Sequence, residues 1–348
     1  MNTMDPDQIN RELRRLAHEH HGRNTQALQV LYAIEGFLRR LSASEYRERM
    51  VLKGGMLLAV LDARRMTRDA DLSTHGIPND EAAVAEIVRE IASSALAEPD
   101  GVVFDAASVT TESMRESATY RGVRAKLSTT IGIARLVVVL DLSFGDPGEA
   151  EEIRYPEILG GAGIPLRAYP LERTLAEKIA TMMERGELTT RDRDFADVWV
   201  LSRLHTINGE RLRATLHAVA EHRQHAVEPL SQALDDLPDR QQSYDALRAR
   251  ASFALAPPRR WADLVADVIA FVDPLVGAAS AASTAWNPST GQWEANPPDA
   301  HETHVVLSDP VLMRQIREGE GALAPDDAGS TLTEIQGHLD RQRRGERE

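Results

Sequence analysis

Apolar residues recur every three or four positions over residues 5–47, a spacing that predicts two amphipathic helices. The pattern breaks near residues 21–24, and the helical period returns at residues 80–96. From Pro165 onward the spacing is helical again, which predicts a second, all-helical part of the chain. The candidate helices there are residues 171–184, 192–204, 209–220, 231–234, 244–253 and 261–272.

Strand-like segments fill the region between these helices. Extended segments are predicted at residues 102–104, 108–113, 121–128 and 133–144, which would pair in an antiparallel or mixed sheet. A short strand is predicted at residues 69–73, and the pair Gly54-Gly55 suits a loop or the start of a helix. The predicted fold class is therefore α+β: a mixed β-sheet with flanking helices, followed by an α-helical domain and a flexible tail.

Length and composition add a division into domains. The chain has 348 residues, of which 42% are hydrophobic and 27% charged, as in globular proteins of more than one domain. We predict an α/β domain at residues 1–165, a helical domain at 166–275, and a linker with a mostly disordered tail at 276–348. After Pro274 the residues Ala, Ser, Asn, Pro and Gly dominate, and such a stretch buries too little apolar area to order itself. A short amphipathic segment at residues 305–317 interrupts the tail.

Composition and charge exclude several classes of protein. No apolar run approaches the roughly 18 residues of a membrane span, and the N-terminal residues lack a signal peptide's apolar core, so we expect a soluble, cytoplasmic protein without membrane contact. The chain has no cysteine, so any metal must be bound by oxygen or histidine ligands. The net charge of −14 argues against a large basic surface for nucleic acid.

Three aspartates are the first candidates for chemistry. Residues i and i+2 of a strand point to the same face, so the carboxylates of Asp69 and Asp71 repel each other unless a cation lies between them. Asp141 interrupts an apolar run that indicates a strand buried on both faces, where an unpaired carboxylate is costly. Together the three carboxylates can hold two Mg²⁺ ions against a nucleoside triphosphate. The alternatives are a surface turn for the first two and a structural salt bridge for Asp141.

Glycine and basic residues near these acids suit phosphate binding. Without a Cβ atom, Gly54-Gly55 lets the backbone approach phosphate oxygens, and Lys53 precedes the pair. A tight turn or close helix packing explains the glycines as well. Arg64-Arg65 and Arg68 can clamp phosphates, although arginines beside acids more often form solvated surface pairs.

Charged residues also fall on the apolar stripes of two consecutive predicted helices. On a helical wheel, Lys178 lies at the edge of one stripe, whereas Asp194 lies inside the next and Asp197 lies at its margin. An inward lysine and an inward aspartate indicate either a buried ion pair between the helices or the wall of a site. From these residues alone we favour the ion pair.

Taken in order, these segments resemble the nucleotidyltransferase-fold toxins of the AbiEii/AbiGii family, which includes the MenT-type toxins of type IV-like toxin-antitoxin systems. The resemblance covers residues 51–204 and consists of four motifs. They are Lys53-Gly54-Gly55 followed by Thr67-Arg68-Asp69-Ala70-Asp71, the strand acid Asp141 within LDLSFGD, Lys178 within LERTLAEKIA, and the segment Arg191-Asp192-Arg193-Asp194-Phe195-Ala196-Asp197. Each motif alone is weak, and the four in the family's order are a specific signal.

The resemblance implies a nucleotidyltransferase fold for residues 1–165 and a role for each motif. Mg²⁺, or Mn²⁺, would be bound by Asp69, Asp71 and Asp141. Lys178 would contact the triphosphate or the reacting centre, and Asp194 with Asp197 would act as a base or support that lysine. The residues that would bind the nucleotide are Lys53, Gly54, Gly55, Thr67 and Arg68.

The family's reaction implies the substrates and partners. An acceptor hydroxyl attacks the α-phosphorus of a nucleoside triphosphate (NTP) and pyrophosphate leaves; in relatives the acceptor is often the 3′ end of tRNA, whose modification blocks translation. A cognate antitoxin protein is the expected partner. A tRNA acceptor requires a local basic strip, whose candidates are Arg64, Arg65, Arg68, Arg121, Arg124 and Lys126. A small-molecule (antibiotic-type) nucleotidyltransferase and a noncatalytic binding module on the same fold remain open alternatives.

Overall fold

The computed structural model describes residues 5–20, 24–63, 67–115, 121–145, 148–251, 253–276 and 284–295. The strands are β1 (Met50–Lys53), β2 (Ala70–Thr74), β3 (Val102–Arg115), β4 (Arg121–Ile131), β5 (Ala134–Phe144), β6 (Glu151–Tyr155), β7 (Ile164–Ala168), β8 (Ile207–Asn208), β9 (Thr284–Asn287) and β10 (Gln292–Ala295). The helices are α1 (Pro6–His20), α2 (Thr25–Ser42), α3 (Gly54–Leu57), α4 (Glu81–Ser93), α5 (Leu171–Arg185), α6 (Asp192–Leu204), α7 (Gly209–His222), α8 (Leu230–Ala233), α9 (Gln241–Arg250) and α10 (Trp261–Val276). A short 3₁₀ helix spans Gly186–Leu188.

Strands β1 to β7 form one mixed sheet in the order β3-β4-β5-β2-β1-β7-β6. In its middle, β2 pairs parallel with β5 and antiparallel with β1. β3, β4 and β5 pair antiparallel at one end, and β7 pairs parallel with β1 and antiparallel with β6 at the other. The predicted α+β class, with a mixed sheet and flanking helices, is confirmed.

Strand β5 is buried on one face and open on the other. Its alternate residues from Leu136 to Leu142 are buried on the face that α2 covers. Val137, which points the other way, is 50% exposed. The prediction of a strand buried on both faces was therefore wrong, because antiparallel strands can leave one face to solvent even where the sequence is mostly aliphatic. Asp141 has the same parity as Val137 and lies on the open face.

The strands differ from the sequence prediction in two respects. The segments predicted at residues 102–104 and 108–113 belong to the single strand β3, whose pairing with β4 shifts register between Asp105 and Thr110. A bulge of this kind interrupts the alternation from which a strand is recognised. Strands β1, β6 and β7 were not predicted, because β1 (MVLK) shows no apolar–polar alternation, β6 (EEIRY) has only two apolar residues, and the proline of β7 (IPLRA) argues against a strand.

The helices from α5 onward follow the prediction to within a few residues at each end. Their apolar stripes are buried, including Leu175 and Ile179 of α5 and Phe195 and Leu201 of α6. The described residues belong to one compact unit that ends at Ala295, and the domain boundaries at residues 165 and 275 stay predictions. No helix in the described ranges combines the length and the apolar character that crossing a membrane requires.

Strands β9 and β10 form a hairpin within the segment predicted as a linker, which corrects that prediction for residues 284–295. The ring of Trp286 meets Phe271 edge-on at 4.8 Å between centroids, and Trp293 stacks on the same ring at 5.4 Å. Trp286 Nε1 also donates a hydrogen bond of 2.6 Å to the carbonyl oxygen of Ser202. The two tryptophans supply apolar area that the surrounding composition lacks. The predicted tail, residues 296–348 with its amphipathic segment at 305–317, lies outside the described residues.

The hairpin makes a testable contribution to stability. Trp286→Ala should lower the free energy of unfolding by about 3–5 kcal/mol, because it removes a buried aromatic ring and its hydrogen bond. Urea denaturation followed by far-UV circular dichroism measures the change. Ile133→Ala, at a side chain that is 86% exposed, is the control and should stay within about 0.5 kcal/mol of the wild type. Equal stability of Trp286→Ala and the control would show that the hairpin does not pack on α10.

Candidate active site

Four charged side chains lie in one row across the middle of the sheet. Strand register pairs Arg124 on β4 with Asp141 on β5, and Asp141 with Asp71 on β2. Asp71 is in turn paired with Lys53 on β1. Paired positions on neighbouring strands point to the same face of the sheet. These four residues, which we call the charge row, therefore place two negative charges side by side with a positive charge at each end.

Two cavities that share residues lie beside the charge row. The larger, of about 520 Å³, is lined by Gly54, Gly55, Thr67, Asp69, Asp71, Asp141, Lys178, Arg191 and Asp194, among others. The smaller, of about 170 Å³, shares Gly54, Asp71, Lys178, Arg191 and Asp194 and is also lined by Lys53. The structure thus brings most of the predicted site residues around one space. Of the described residues predicted for the site, Arg68 and Asp197 line neither cavity.

The glycine pair at the start of α3 receives the Asp71 carboxylate. Gly54 has φ +63°, and a Cβ atom there would lie 1.8 Å from Asp71 Oδ2. The backbone N–H of Gly55 donates to the same oxygen at 3.4 Å. Gly54 is therefore required both by its backbone conformation and by the space that Asp71 occupies. The predicted role of the pair at a phosphate stays a prediction, and the close approach seen here is to a carboxylate.

The pKa of the Asp71 carboxyl reflects its burial and the two other aspartates near it. Burial, together with the negative charges of Asp69 and Asp141, raises the pKa of the Asp71 carboxyl to about 6. The Lys53 ammonium and the Gly55 N–H oppose this rise. A carboxylate whose pKa is raised by burial and by its acidic neighbours is one that an added cation would stabilise.

The other two aspartates make side-chain contacts of their own. The Thr67 hydroxyl donates to Asp69 Oδ1 at 2.8 Å. Arg124 donates from Nε to Asp141 Oδ1 at 2.7 Å and from Nη2 to Oδ2 at 2.6 Å. The salt bridge considered as an alternative for Asp141 is thus present. Among the described residues, no three carboxylate or imidazole side chains are grouped so that they could hold one metal ion.

The residues nevertheless suit a hard divalent cation in their chemistry. Asp69, Asp71 and Asp141 present carboxylate oxygens to the same cavity, and oxygen ligands are those that Mg²⁺ and Mn²⁺ prefer. Burial, and after it the repulsion by Asp69 and Asp141, raises the pKa of Asp71, and the positive charge of a bound cation would offset both effects. Asp69 and Asp141 would have to exchange their present partners for the ion.

Lys178 forms the ion pair favoured from the helical wheel, and it also borders both cavities. Its Nζ donates to Asp194 Oδ1 at 2.9 Å and to Asp197 Oδ2 at 2.7 Å. Arg191 Nε lies 2.7 Å from Asp194 Oδ2. Both carboxylates are buried, with exposed side-chain fractions of 7% and 3%. The predicted ion pair is therefore present, and the role of these residues in a site stays a prediction.

Two residues of the basic strip proposed for an RNA acceptor, Arg124 and Lys126, are ion-paired with acids. Arg124 contacts Asp141, and Lys126 Nζ donates to Glu112 at 2.7 Å. Arg68 is exposed. Arg64-Arg65 and the side chain of Arg121 lie outside the described residues. Neutralised bases attract a phosphate backbone less than free ones, which weakens the strip as an argument for nucleic acid.

Several residues that border the site were not predicted from the sequence. Glu177, Glu184 and Arg223 line the smaller cavity, and Arg223 Nη1 donates to the Thr181 hydroxyl at 2.8 Å. The contact of Arg124 with Asp141 was missed as well. No sequence signal marks these residues, because strand register and the packing of α7 on α5 bring them to the site.

Comparison with known proteins places the site within a family match. The family model described as nucleotidyl transferase AbiEii toxin, type IV TA system, matches residues 36–286. A search of curated proteins gave no match. Among solved structures, JHP933 from Helicobacter pylori is 16% identical with a TM-score of 0.37, covering 64% of this chain and 97% of that one. An antigenic nucleotidyltransferase-like protein from Paracoccidioides brasiliensis is 15% identical with a TM-score of 0.32, covering 61% and 93%. The family match includes every residue that lines the two cavities.

The charge at Asp71 predicts a pH-dependent effect on stability. Its pKa in the folded protein, about 6, is above the ordinary 3.8, so ionised Asp71 destabilises the folded state above pH 6 and protonation removes that cost as the pH falls. In EDTA, Asp71→Asn should raise the free energy of unfolding by about 2–3 kcal/mol at pH 8, and the gain should shrink towards zero near pH 4. Urea unfolding at both pH values measures it. Asp105→Asn, at an exposed residue of β3, is the control, and an equal gain at both pH values would contradict the electrostatic cause.

Proposed function

The chain belongs to the AbiEii family of nucleotidyltransferase toxins, and on this premise we propose that it transfers a nucleoside monophosphate from an NTP to an acceptor hydroxyl. The observation that carries the proposal is that Asp69, Asp71, Asp141 and Lys178 line one cavity of about 520 Å³. Three carboxylates and an ammonium around one space match what phosphoryl transfer requires, namely cation binding and neutralisation of phosphate charge.

In the proposed reaction the aspartates would bind a divalent cation, Mg²⁺ or Mn²⁺, which when bound would neutralise phosphate charge and help to orient the triphosphate. Asp71 is already fixed against the Gly54-Gly55 backbone, so its carboxylate needs little reorganisation. Lys53 stands next to Asp71 in the charge row and borders the smaller cavity, where its charge suits a phosphate group. Catalysis then depends on positioning and charge rather than on a covalent intermediate.

Lys178 is proposed to face the triphosphate. Its ammonium is held by Asp194 and Asp197, so it keeps one position without the freedom of a surface lysine. Asp194 lines the cavities and Asp197 does not. Of the two, Asp194 is therefore the better placed to take the proton from an acceptor hydroxyl, and Asp197 is the residue that positions the lysine.

We propose the 3′ end of tRNA as the acceptor, with a block of translation as the consequence and the cytoplasm as the location. The support is the toxin family, whose type IV toxin-antitoxin description also implies an antitoxin protein as partner. The charge of −14 and the ion-paired bases of β4 limit the contact with RNA to a small area near the cavity. A terminal hydroxyl of an RNA chain meets that restriction, since only the end of the molecule has to enter.

The test is a labelling assay with each α-³²P-labelled NTP, Mg²⁺ and total tRNA. We expect label on tRNA with the wild type, and a loss on the order of 100-fold or more in Asp69→Asn, because a cation ligand contributes several kcal/mol to such reactions. Glu86→Gln, which changes a 76% exposed side chain on α4 by the same chemistry, is the matched control and should keep full activity.

Other outcomes of this assay would redirect the proposal. Label on a small molecule of a cell extract, and none on tRNA, would identify the chain as a small-molecule nucleotidyltransferase. Full toxicity of Asp69→Asn in cells, together with no label on any acceptor, would support a noncatalytic binding module and contradict the enzyme.

A further inference from the structure

Arg124 lies at one end of the charge row, and the residues around it in the sequence do not predict its contact with Asp141. It lies on β4 in register with Asp141, and on its other side it is in register with Glu112 of β3. The Asp141 side chain is 12% exposed and that of Arg124 is 35% exposed. The guanidinium therefore covers Asp141 from the open face of the sheet, next to the larger cavity that Asp141 lines.

The contact uses both oxygens of the carboxylate. Arg124 Nε donates to Oδ1 and Nη2 donates to Oδ2, at 2.7 and 2.6 Å. Such two-point pairing matches the planar guanidinium to the plane of the carboxylate and is among the stronger side-chain contacts. A carboxylate has about four acceptor positions, and this contact uses one on each oxygen.

A divalent cation and the Arg124 guanidinium would compete for the negative charge of the Asp141 carboxylate. An ion bound to Asp141 in this arrangement would lie close to a second positive group, and the two would repel each other. Moving the guanidinium towards the solvent removes that repulsion. Because Arg124 lies on the open face, with Lys126 beside it at 43% exposure, such a movement disturbs no core packing.

We propose that Arg124 is a positioning residue that holds Asp141 until a divalent cation replaces it, and thereby sets the cation concentration at which the site is loaded. The inference rests on the proposed function, because it takes Asp141 as a cation ligand. Asp141 is neutralised in both arrangements, first by the guanidinium and then by the ion. Removing the guanidinium should consequently strengthen cation binding, whereas a residue that only orients Asp141 would weaken binding when removed.

The chain offers a matched control for this test. Lys126 is two residues from Arg124 on the same face of β4, carries the same charge and makes a comparable ion pair, with Glu112 instead of Asp141. Lys126→Gln therefore removes one positive charge from the same surface without changing the partner of Asp141.

The experiment is a titration of the full chain with Mn²⁺ alone, followed by the electron paramagnetic resonance signal of the free ion. Arg124→Gln should bind Mn²⁺ about five- to tenfold more tightly than the wild type, which is the low end of the range of about 5- to 150-fold that is usual for coupled binding. Lys126→Gln should stay within about twofold, since a screened surface charge contributes little. Asp141→Asn should bind more weakly than the wild type.

A second variant guards against a loss of folding in Arg124→Gln. Arg124→Lys keeps the charge but lacks the fork that spans two oxygens, so its Mn²⁺ affinity should lie between those of the wild type and Arg124→Gln. Circular dichroism checks that each variant is folded. In the labelling assay, Arg124→Gln should also reach half of its maximal rate at a lower Mn²⁺ concentration than the wild type.

The outcomes separate this inference from the proposed function. Mn²⁺ binding by the wild type with unchanged or weaker binding by folded Arg124→Gln, or by Arg124→Lys if the former does not fold, overturns the competition and leaves the proposed function in place. Absence of Mn²⁺ binding in the wild type and in every variant contradicts the cation-dependent function and the inference with it.

Discussion

The repulsion between carboxylates at the centre of the sheet is the constraint on which the site depends. Asp71 and Asp141 occupy paired positions on neighbouring parallel strands, and Asp69 lies two residues before the first of them. Such a group is stable only if positive charge or hydrogen-bond donors surround it. Lys53 and Arg124 provide the charge within the sheet itself, at the two ends of the row.

The β-sheet and the helices α5 and α6 contribute different residues to the candidate site. The sheet presents carboxylates at fixed spacing, and the helices that follow it present a lysine held by two buried acids. Strands and packed helices hold side chains more rigidly than loops do, which suits a reaction that depends on position. Gly54 lies between the sheet and the cavities, and only a residue without a Cβ atom at this position leaves room for the Asp71 carboxylate.

The balance of charge also bears on how an acidic protein of net charge −14 would bind the polyphosphate substrate that is proposed for it. Most basic residues near the site are engaged by acids, as Arg124 is by Asp141 and Lys178 is by Asp194. Lys178 keeps its two acids, so further attraction of an anionic substrate has to come from groups such as Arg124 that exchange partners when the substrate or a cation arrives. An ion pair at the edge of a cavity can exchange in this way, whereas a pair buried in the core cannot without a large cost.

The sequence by itself determined the α+β class, the order of the helices and the residue types of the candidate site, because periodicity and motif spacing are local properties. It also placed an inward lysine and an inward aspartate on consecutive helices, which meet as an ion pair. Only the tertiary structure decided that Arg124 faces Asp141, that β5 has an open face, and that the tryptophan hairpin packs on α10. These features depend on strand register and on contacts between distant segments, and neither is encoded in the pattern of any single stretch of the chain.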